Sequence, residues 1–182
     1  MTDIMTDRNA SYRELYKADI ARYGVKPDFY IRTFHYLHRR ASSCNFLPFK
    51  IVYKILFRLW ANRRGLEISA NKLIGGGFYM GHAYNITINP HAVIGSNCNI
   101  HKGVVIGQTN RGIKKGVPTI GNCVWIGINA AIVGGIKIGD DVLIAPNSFV
   151  NIDVPSHSVV FGNPCIIKHR EWATEGYIDN IV

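Results

Sequence analysis

At 182 residues and 47 % hydrophobic side chains, the chain is long enough for one cored domain with an appendage. Its four cysteines are scattered with no CxxC pair, which favours a reduced, cytoplasmic setting over a disulfide-stapled secreted one. Net charge is +9, but residues 1–65 carry 13 Lys/Arg against 5 Asp/Glu and the remainder is close to neutral, which excludes a uniformly basic nucleic-acid binder.

The opening Met1–Arg13 stretch is polar and lacks a secretory leader pattern, and no stretch is long and charge-free enough to span a bilayer. Residues 1–65 read as an α-helical N-terminal region. Tyr12, Leu15, Tyr16 and Ile20 recur at helical spacing and predict a helix over Asn9–Tyr23, closed by Gly24 and Pro27. A second helix is predicted over Asp28–Arg40, carrying Ile31, Phe34, Leu37 and His38, with a loop over Ala41–Asn45. Pro48 at a first-turn position opens a third, which ends at Asn62 ahead of Gly65. This last segment, FLPFKIVYKILFRLWANRR, allows two readings. It packs on its neighbours and covers an open end of the following domain. Alternatively, residues 47–64 lie as a basic, aromatic-rich helix on an anionic membrane surface.

From Leu66 a different period takes over. Ile88, Ile94, Ile100 and Ile106, then Ile120, Ile126, Ile132, Ile138, Ile144 and Val150, mark a beat of six, and several are followed by Gly. A strand alternates every two residues and a helix every 3.6, so neither sustains a six. The beat predicts a mainly β fold, a parallel β-helix of hexapeptides in which each aliphatic stacks on its counterpart one coil away. This domain is expected over 66–170, with a C-terminal tail over 171–182.

Two interruptions of the beat point to a site. Met80 and Ile86 keep the beat from Ile74, whereas the later register needs Ile88, so two extra residues have entered around Gly81–Thr87. The second break sets Ile120 fourteen positions after Ile106, where two hexapeptides take twelve, and its sequence GQTNRGIKKGVP predicts an exposed loop over 108–118. Insertions in repeat proteins cluster on a binding face. His82 occupies the first slip. His101 lies near one coil of three hexapeptides further on and Glu67 fifteen positions earlier, which predicts neighbouring coils. A carboxylate beside an imidazole holds its tautomer and supports the cation formed when it takes a proton from a hydroxyl nucleophile.

Over Leu66–Lys168 the chain resembles the serine acetyltransferase branch of the left-handed β-helix acyltransferases. LEISANKLIGGGFYMGHAYNITINPHAVIG resembles that family's catalytic stretch, with His82-Ala83-Tyr84-Asn85 at its HATG-type motif. The resemblance implies His82 as general base, oriented by Glu67 where Asp is usual. IGNCVWIGINAAIVGGIKIGDDVLIAP (120–146) is similar to the coils that bind acetyl-CoA. It implies cofactor-binding backbone at Gly127, Ile128, Ala145 and Pro146, with a further contact from Thr109 on the loop. FGNPCIIK (161–168) resembles the closing GNPA motif, with Cys165 for Ala. There Lys168 is implied near the nucleotide phosphates; Lys114 or Lys115 read as further phosphate-binding cations or as part of a solvated loop. The family's trimers imply a homotrimer with the acceptor site between subunits.

The departures concern the acceptor. Serine-specific members place an Asp before the catalytic His, where this chain has Gly81, and an Arg-His-Pro at the loop's end, where it has Gly116-Val117-Pro118. A site that loses its charged partners discriminates poorly for a charged substrate. The chain is in this respect more similar to relatives that O-acetylate sugars in capsular or exopolysaccharide synthesis, of the colanic-acid type. The expected activity is therefore acetyl-CoA-dependent O-acetylation of a sugar or polysaccharide precursor. It would run in the cytoplasm or at the inner membrane surface, with no metal. Serine O-acetylation in cysteine biosynthesis is the alternative. His101 then reads as a second catalytic or acceptor-binding imidazole, or as a polar residue filling the wall. Trp125 and Tyr84 read as shaping an acceptor pocket, and Trp125 also as packing between subunits.

Two other classes use some of these features. A γ-carbonic-anhydrase-like zinc protein would employ His82, His91 and His101, but the region has no HxxxxH pair and the coenzyme-like segments would lack a role. A non-enzymatic β-helical scaffold explains the basic helix but neither the His82 slip nor the long loop.

Overall fold

The computed structural model describes residues 10–71 and 73–182. Helix α1 (Tyr12–Ala21) begins at Ser11, whose hydroxyl accepts from the Glu14 N–H while the Glu14 carboxylate accepts from the Ser11 N–H. Asp28 caps α2 (Phe29–Ser43) by accepting from the Ile31 N–H at 2.7 Å. Pro48 sits in the first turn of α3 (Leu47–Asn62). Helix α2 runs into the segment expected to be loop because Ala41 is fully buried, so packing extends the last turn. Asn9, the predicted start of the first helix, lies outside the described residues.

The remainder winds into a parallel β-helix. Strands β1 (Tyr79–Gly81), β2 (Thr87–Ile88), β3 (Val93–Ile94), β4 (Asn99–His101), β5 (Val105–Gly107) and β6 (Thr119–Ile120) take three walls in rotation. The rotation continues through β7 (Val124–Ile126), β8 (Ala131–Val133), β9 (Lys137–Ile138), β10 (Val142–Ile144), β11 (Phe149–Val150) and β12 (Ser158–Phe161). The first wall stacks β1, β4, β7, β10 and β12; the second β2, β5, β8 and β11; the third β3, β6 and β9. An antiparallel strand, β13 (Ile166–His169), closes the first wall. Ile94, Ile100, Ile106, Ile120, Ile126, Ile132, Ile144 and Val150 all point inward and are fully buried. Each such side chain contributes about 1.5–3 kcal/mol relative to exposure.

The register reports the two breaks directly. Ile126 pairs with Ile144, so a regular coil spans three hexapeptides. Met80 pairs with Ile100 rather than with position 98, so the first slip is the pair of extra residues that the sequence predicts. Ile106 pairs with Ile132, whereas a regular coil would bring position 124 to it. The second break therefore inserts eight residues, not two, because the chain between Ile106 and Ile120 turns one side of the prism rather than two.

Among the described residues nothing in the β-helix lies beneath the first coil, and side chains of α1, of the two residues after it and of α2 satisfy free backbone groups there. Arg39 donates to the carbonyls of Ile74 and Gly75, each at 2.7 Å, and Arg22 to that of Gly77 at 2.8 Å. The Phe78 N–H donates to Asp19 at 3.0 Å and the Met80 N–H to the Tyr23 hydroxyl at 3.1 Å. Arg39 also grips Asp19 with two parallel bonds of 2.7 and 2.8 Å, both residues buried. Burial alone would raise the Asp19 pKa, but Arg39 and His35 beside it hold the carboxyl well below its usual range.

The C-terminal tail is seated on the first wall. Asp141 accepts from the backbone of Ala173 and Thr174 and from the Thr174 hydroxyl, while Asn99 and Asn97 donate to the carbonyls of Tyr177 and Val182.

Candidate active site

One edge of the prism, where the chain turns from the first wall to the second, gathers most of the residues singled out in the sequence. The corners stacked along it are residues 82–86, 102–104, 127–130 and 145–148. They are laddered by backbone bonds from Gly103 N–H to Tyr84 O, Asn129 N–H to Lys102 O and Asn147 N–H to Ile128 O, at 2.9–3.1 Å. His82, Asn129 and Asn147 take left-handed φ values of 52°, 58° and 60°. Asn and His are both among the non-glycine residues that adopt this conformation most readily. Gly127 abuts the next corner so closely that a Cβ there would lie 2.6 Å from the Pro146 nitrogen. Gly127, Ile128, Ala145 and Pro146 thus form a backbone-lined edge two and three coils beyond His82.

His82 is exposed at the start of this edge, with Tyr84 exposed beside it. His101 stands one coil on, in register with Gly81. Its Nδ1 lies 2.9 Å from the Ile126 carbonyl, which can only accept, so Nδ1 carries the proton and Nε2 keeps a free lone pair. Burial lowers the His101 pKa, and the neighbouring His82 lowers it further. The Trp125 ring lies 4.6 Å from the imidazole and Tyr177 from the tail packs edge-on against Trp125 at 5.1 Å. The imidazole fills the space over Gly81, where a Cβ would lie 2.5 Å from Nε2.

Glu67 does not join His82 in this chain. It is bridged to Thr87 on the second wall, and its carboxylate accepts from the Thr87 hydroxyl at 3.3 Å. Among the described residues it forms no ion pair with His82. The reason is register: Glu67 aligns with residue 87, beyond the corner that carries His82. It lines a groove of about 910 Å³ between α3 and the second wall, together with Lys54, Arg58, Asn71 and Asn89.

Thr109 lies on the next edge, across the second wall. Thr109 and Gly116 exchange two backbone bonds of 2.9 Å, so the loop over 108–118 is pinched at its base. It folds onto the Gly134-Gly135 turn, where the Gly135 N–H donates to the Lys114 carbonyl at 2.8 Å. A Cβ on Gly135 would lie 2.8 Å from the Lys115 carbonyl, so glycine permits this approach. Lys114 is paired with Asp153 at 2.6 Å, and Lys168 lies on β13, 5.7 Å from the Phe161 ring. A single chain thus brings together His82, His101, Gly127, Ile128, Ala145 and Pro146 but leaves Glu67, Thr109, Lys114 and Lys168 elsewhere. His91 sits on the edge between the second and third walls, and among the described residues no three His, Cys, Asp or Glu side chains converge as a metal-binding group.

The dependence of His101 on Gly81 escaped the sequence reading. Its signal was the lengthened first coil, which places residue 101 over residue 81 rather than over residue 83.

Residues 118–151 match the bacterial transferase hexapeptide family of six repeats. A serine acetyltransferase of Helicobacter pylori is 33 % identical over 132 residues, 72 % of this chain and 73 % of that protein. The chain belongs to the serine acetyltransferase family of hexapeptide-repeat transferases. A serine acetyltransferase of Synechococcus elongatus is 32 % identical over 139 residues, and there the match spans 76 % of this chain but only 54 % of the relative. Among solved structures, the soybean serine acetyltransferase apoenzyme superimposes with a TM-score of 0.68 at 29 % identity, covering 87 % of this chain and 69 % of that one. The Neisseria gonorrhoeae enzyme in complex with serine gives 0.66 at 27 % identity, covering 91 % and 71 %. This family member shares their left-handed β-helix.

Proposed function

We propose that this chain transfers the acetyl group of acetyl-CoA to a hydroxyl, with His82 as general base. The observation that carries the reading is the single edge on which His82 and His101 precede the backbone-lined corners at Gly127–Ile128 and Ala145–Pro146. Acetyl-CoA lies along those corners as substrate. His82 takes the proton from the acceptor hydroxyl as its oxygen attacks the thioester carbonyl, and returns it to the departing CoA thiolate. No covalent enzyme intermediate is needed. Backbone N–H groups not used in the ladder between coils would stabilise the tetrahedral intermediate. Glu67 acts on His82 only through a side-chain movement towards it, and Thr109 and Lys168 reach the cofactor from the neighbouring chain of a homotrimer.

The relatives' names favour L-serine as the acceptor, ahead of the carbohydrate that the sequence departures suggested. One observation supports a carbohydrate hydroxyl as second reading. Gly81 and Gly116-Val117 offer no charged side chain to an amino acid, and the space over Gly81 holds a neutral imidazole with a free lone pair instead. Such a group accepts a hydrogen bond from a sugar hydroxyl.

Release of CoA from acetyl-CoA, measured with L-serine and with a panel of sugars and glycans, tests both readings beside a His82→Ala variant. Turnover with L-serine that is lost in the variant supports the serine reading. Turnover confined to a carbohydrate supports the second. A protein that binds no acetyl-CoA by calorimetry overturns the proposal.

A further inference from the structure

Helix α3 uses only a narrow face to hold itself to the rest of the chain. Phe57 and Ala61 are buried, and Tyr53 and Trp60 pack partly against the core. The opposite face carries Ile51, Val52, Ile55, Leu56 and Leu59, preceded by Phe49, all exposed; Phe49, Ile55 and Leu59 are 59 %, 54 % and 62 % accessible. At 3.6 residues per turn these side chains form one outward sector spanning about half the circumference. Contiguous apolar surface of this kind marks an interaction site. It continues sideways onto Phe29, 71 % exposed, which sits edge-on to Trp60 at 5.8 Å.

The charges choose the partner. Lys50, Lys54 and Arg58 recur at every fourth position and form a row beside the apolar sector, and Arg63 and Arg64 follow at the helix end. Residues 47–62 contain no Asp or Glu. Among the described residues Lys50, Lys54 and Arg58 have no ion-pair partner. Two copies of α3 packed face to face would set like rows against each other with no acid on either helix to neutralise them. A layer of anionic lipid headgroups supplies both missing components, an apolar phase for the isoleucines and leucines and negative charge for the row beside them. Lys and Arg stems of this length reach from an apolar boundary to headgroup level.

We propose that α3 is an interfacial helix that seats the protein on an anionic lipid bilayer, lying in the plane of the surface with its outer face immersed. No helix among the described residues is long and apolar enough to cross the membrane. The seat is independent of the acceptor and holds whether or not the acetyl-transfer reading stands.

The test is sedimentation of the full-length chain with phosphatidylcholine vesicles, with and without phosphatidylglycerol. The protein is expected to pellet with the anionic vesicles and to stay in solution with the neutral ones. Each exposed cation removed should weaken partitioning about fivefold. The pair Lys54→Gln/Arg58→Gln should therefore bind about 25-fold less well, the product of the two. Ile55→Ser/Leu59→Ser should also release the protein, with an unchanged far-ultraviolet spectrum and an unchanged mass by light scattering. A wild-type chain that remains in solution with anionic vesicles overturns the proposal. So does an Ile55→Ser/Leu59→Ser variant that pellets like wild type but drops in mass, since the face would then be a contact between copies of this chain.

Discussion

The imidazole of His101 stands where a side chain on residue 81 would project, so the two positions are sterically exclusive. Gly81→Ala should displace the ring, break its 2.9 Å bond to the Ile126 carbonyl and destabilise the fold by about 1–3 kcal/mol, the usual range for overpacking. Adding His101→Ala should recover most of that loss. Urea unfolding of the two single variants and the double variant gives the coupling; additive effects would mean that the ring and the glycine do not meet.

Removal of the proposed base should slow turnover far more than removal of its neighbour. His82→Ala is expected to lower kcat by about 10²–10⁴ with little change in acetyl-CoA binding. His101→Ala should act chiefly on acceptor KM. Because burial lowers the His101 pKa, its imidazole stays neutral through neutral pH, so its removal should leave the alkaline side of the kcat/KM profile unmoved. Equal loss of kcat in both variants would make His101 a partner in proton transfer.

Arg39 joins α2 to α1 and to the first coil at once. Arg39→Met removes two bonds to Asp19 and two to backbone carbonyls, and leaves the Asp19 carboxylate buried without its main counter-charge. A loss of about 3–5 kcal/mol is expected from breaking a buried pair on one side. The double variant Asp19→Asn/Arg39→Met should be less unstable than Arg39→Met alone, which chemical denaturation can measure.

His38 predicts an acid-sensitive fold. It is fully buried, donates from Nε2 to the Ser69 carbonyl at 3.2 Å, and burial pulls its pKa down to about 3 from 6.5. Between those values the unfolded chain binds a proton that the folded chain refuses. Stability therefore falls as pH drops below about 6.5, by about 1.4 kcal/mol per unit, and this contribution levels off below about 3. His38→Gln keeps a donor but cannot titrate. Urea midpoints at pH 7 and pH 5 should differ clearly in wild type and much less in this variant.

The walls were legible because an inward position favours an aliphatic side chain, and Ile94, Ile100 and Ile106 repeat that demand at every side of the prism. The His82 corner was legible for the complementary reason, since the lengthened coil shifts the beat by two. The size of the loop was not, because spacing between isoleucines does not say how many walls the chain turned between them. Contacts that run from side chain to distant backbone also leave no periodic trace. Arg39 meets Ile74 across a long stretch of chain, and nothing in either segment announces the other. The contact of Glu67 with Thr87 was not legible, because separation in sequence measures height along the coil but not position around it.

The side chains that close the first coil also decide how far the solenoid extends. A bare coil end offers three rows of unpaired N–H and C=O groups on which a coil of another molecule could stack, and that molecule would present a fresh end in turn. Asp19, Arg22, Tyr23 and Arg39 occupy that template on one side, and the antiparallel β13 covers part of the other. The helical segment is thus a chain terminator in the polymer sense. Cut away, it would leave a unit able to grow end to end into filaments; in place, it holds the length of the rod to that of one molecule.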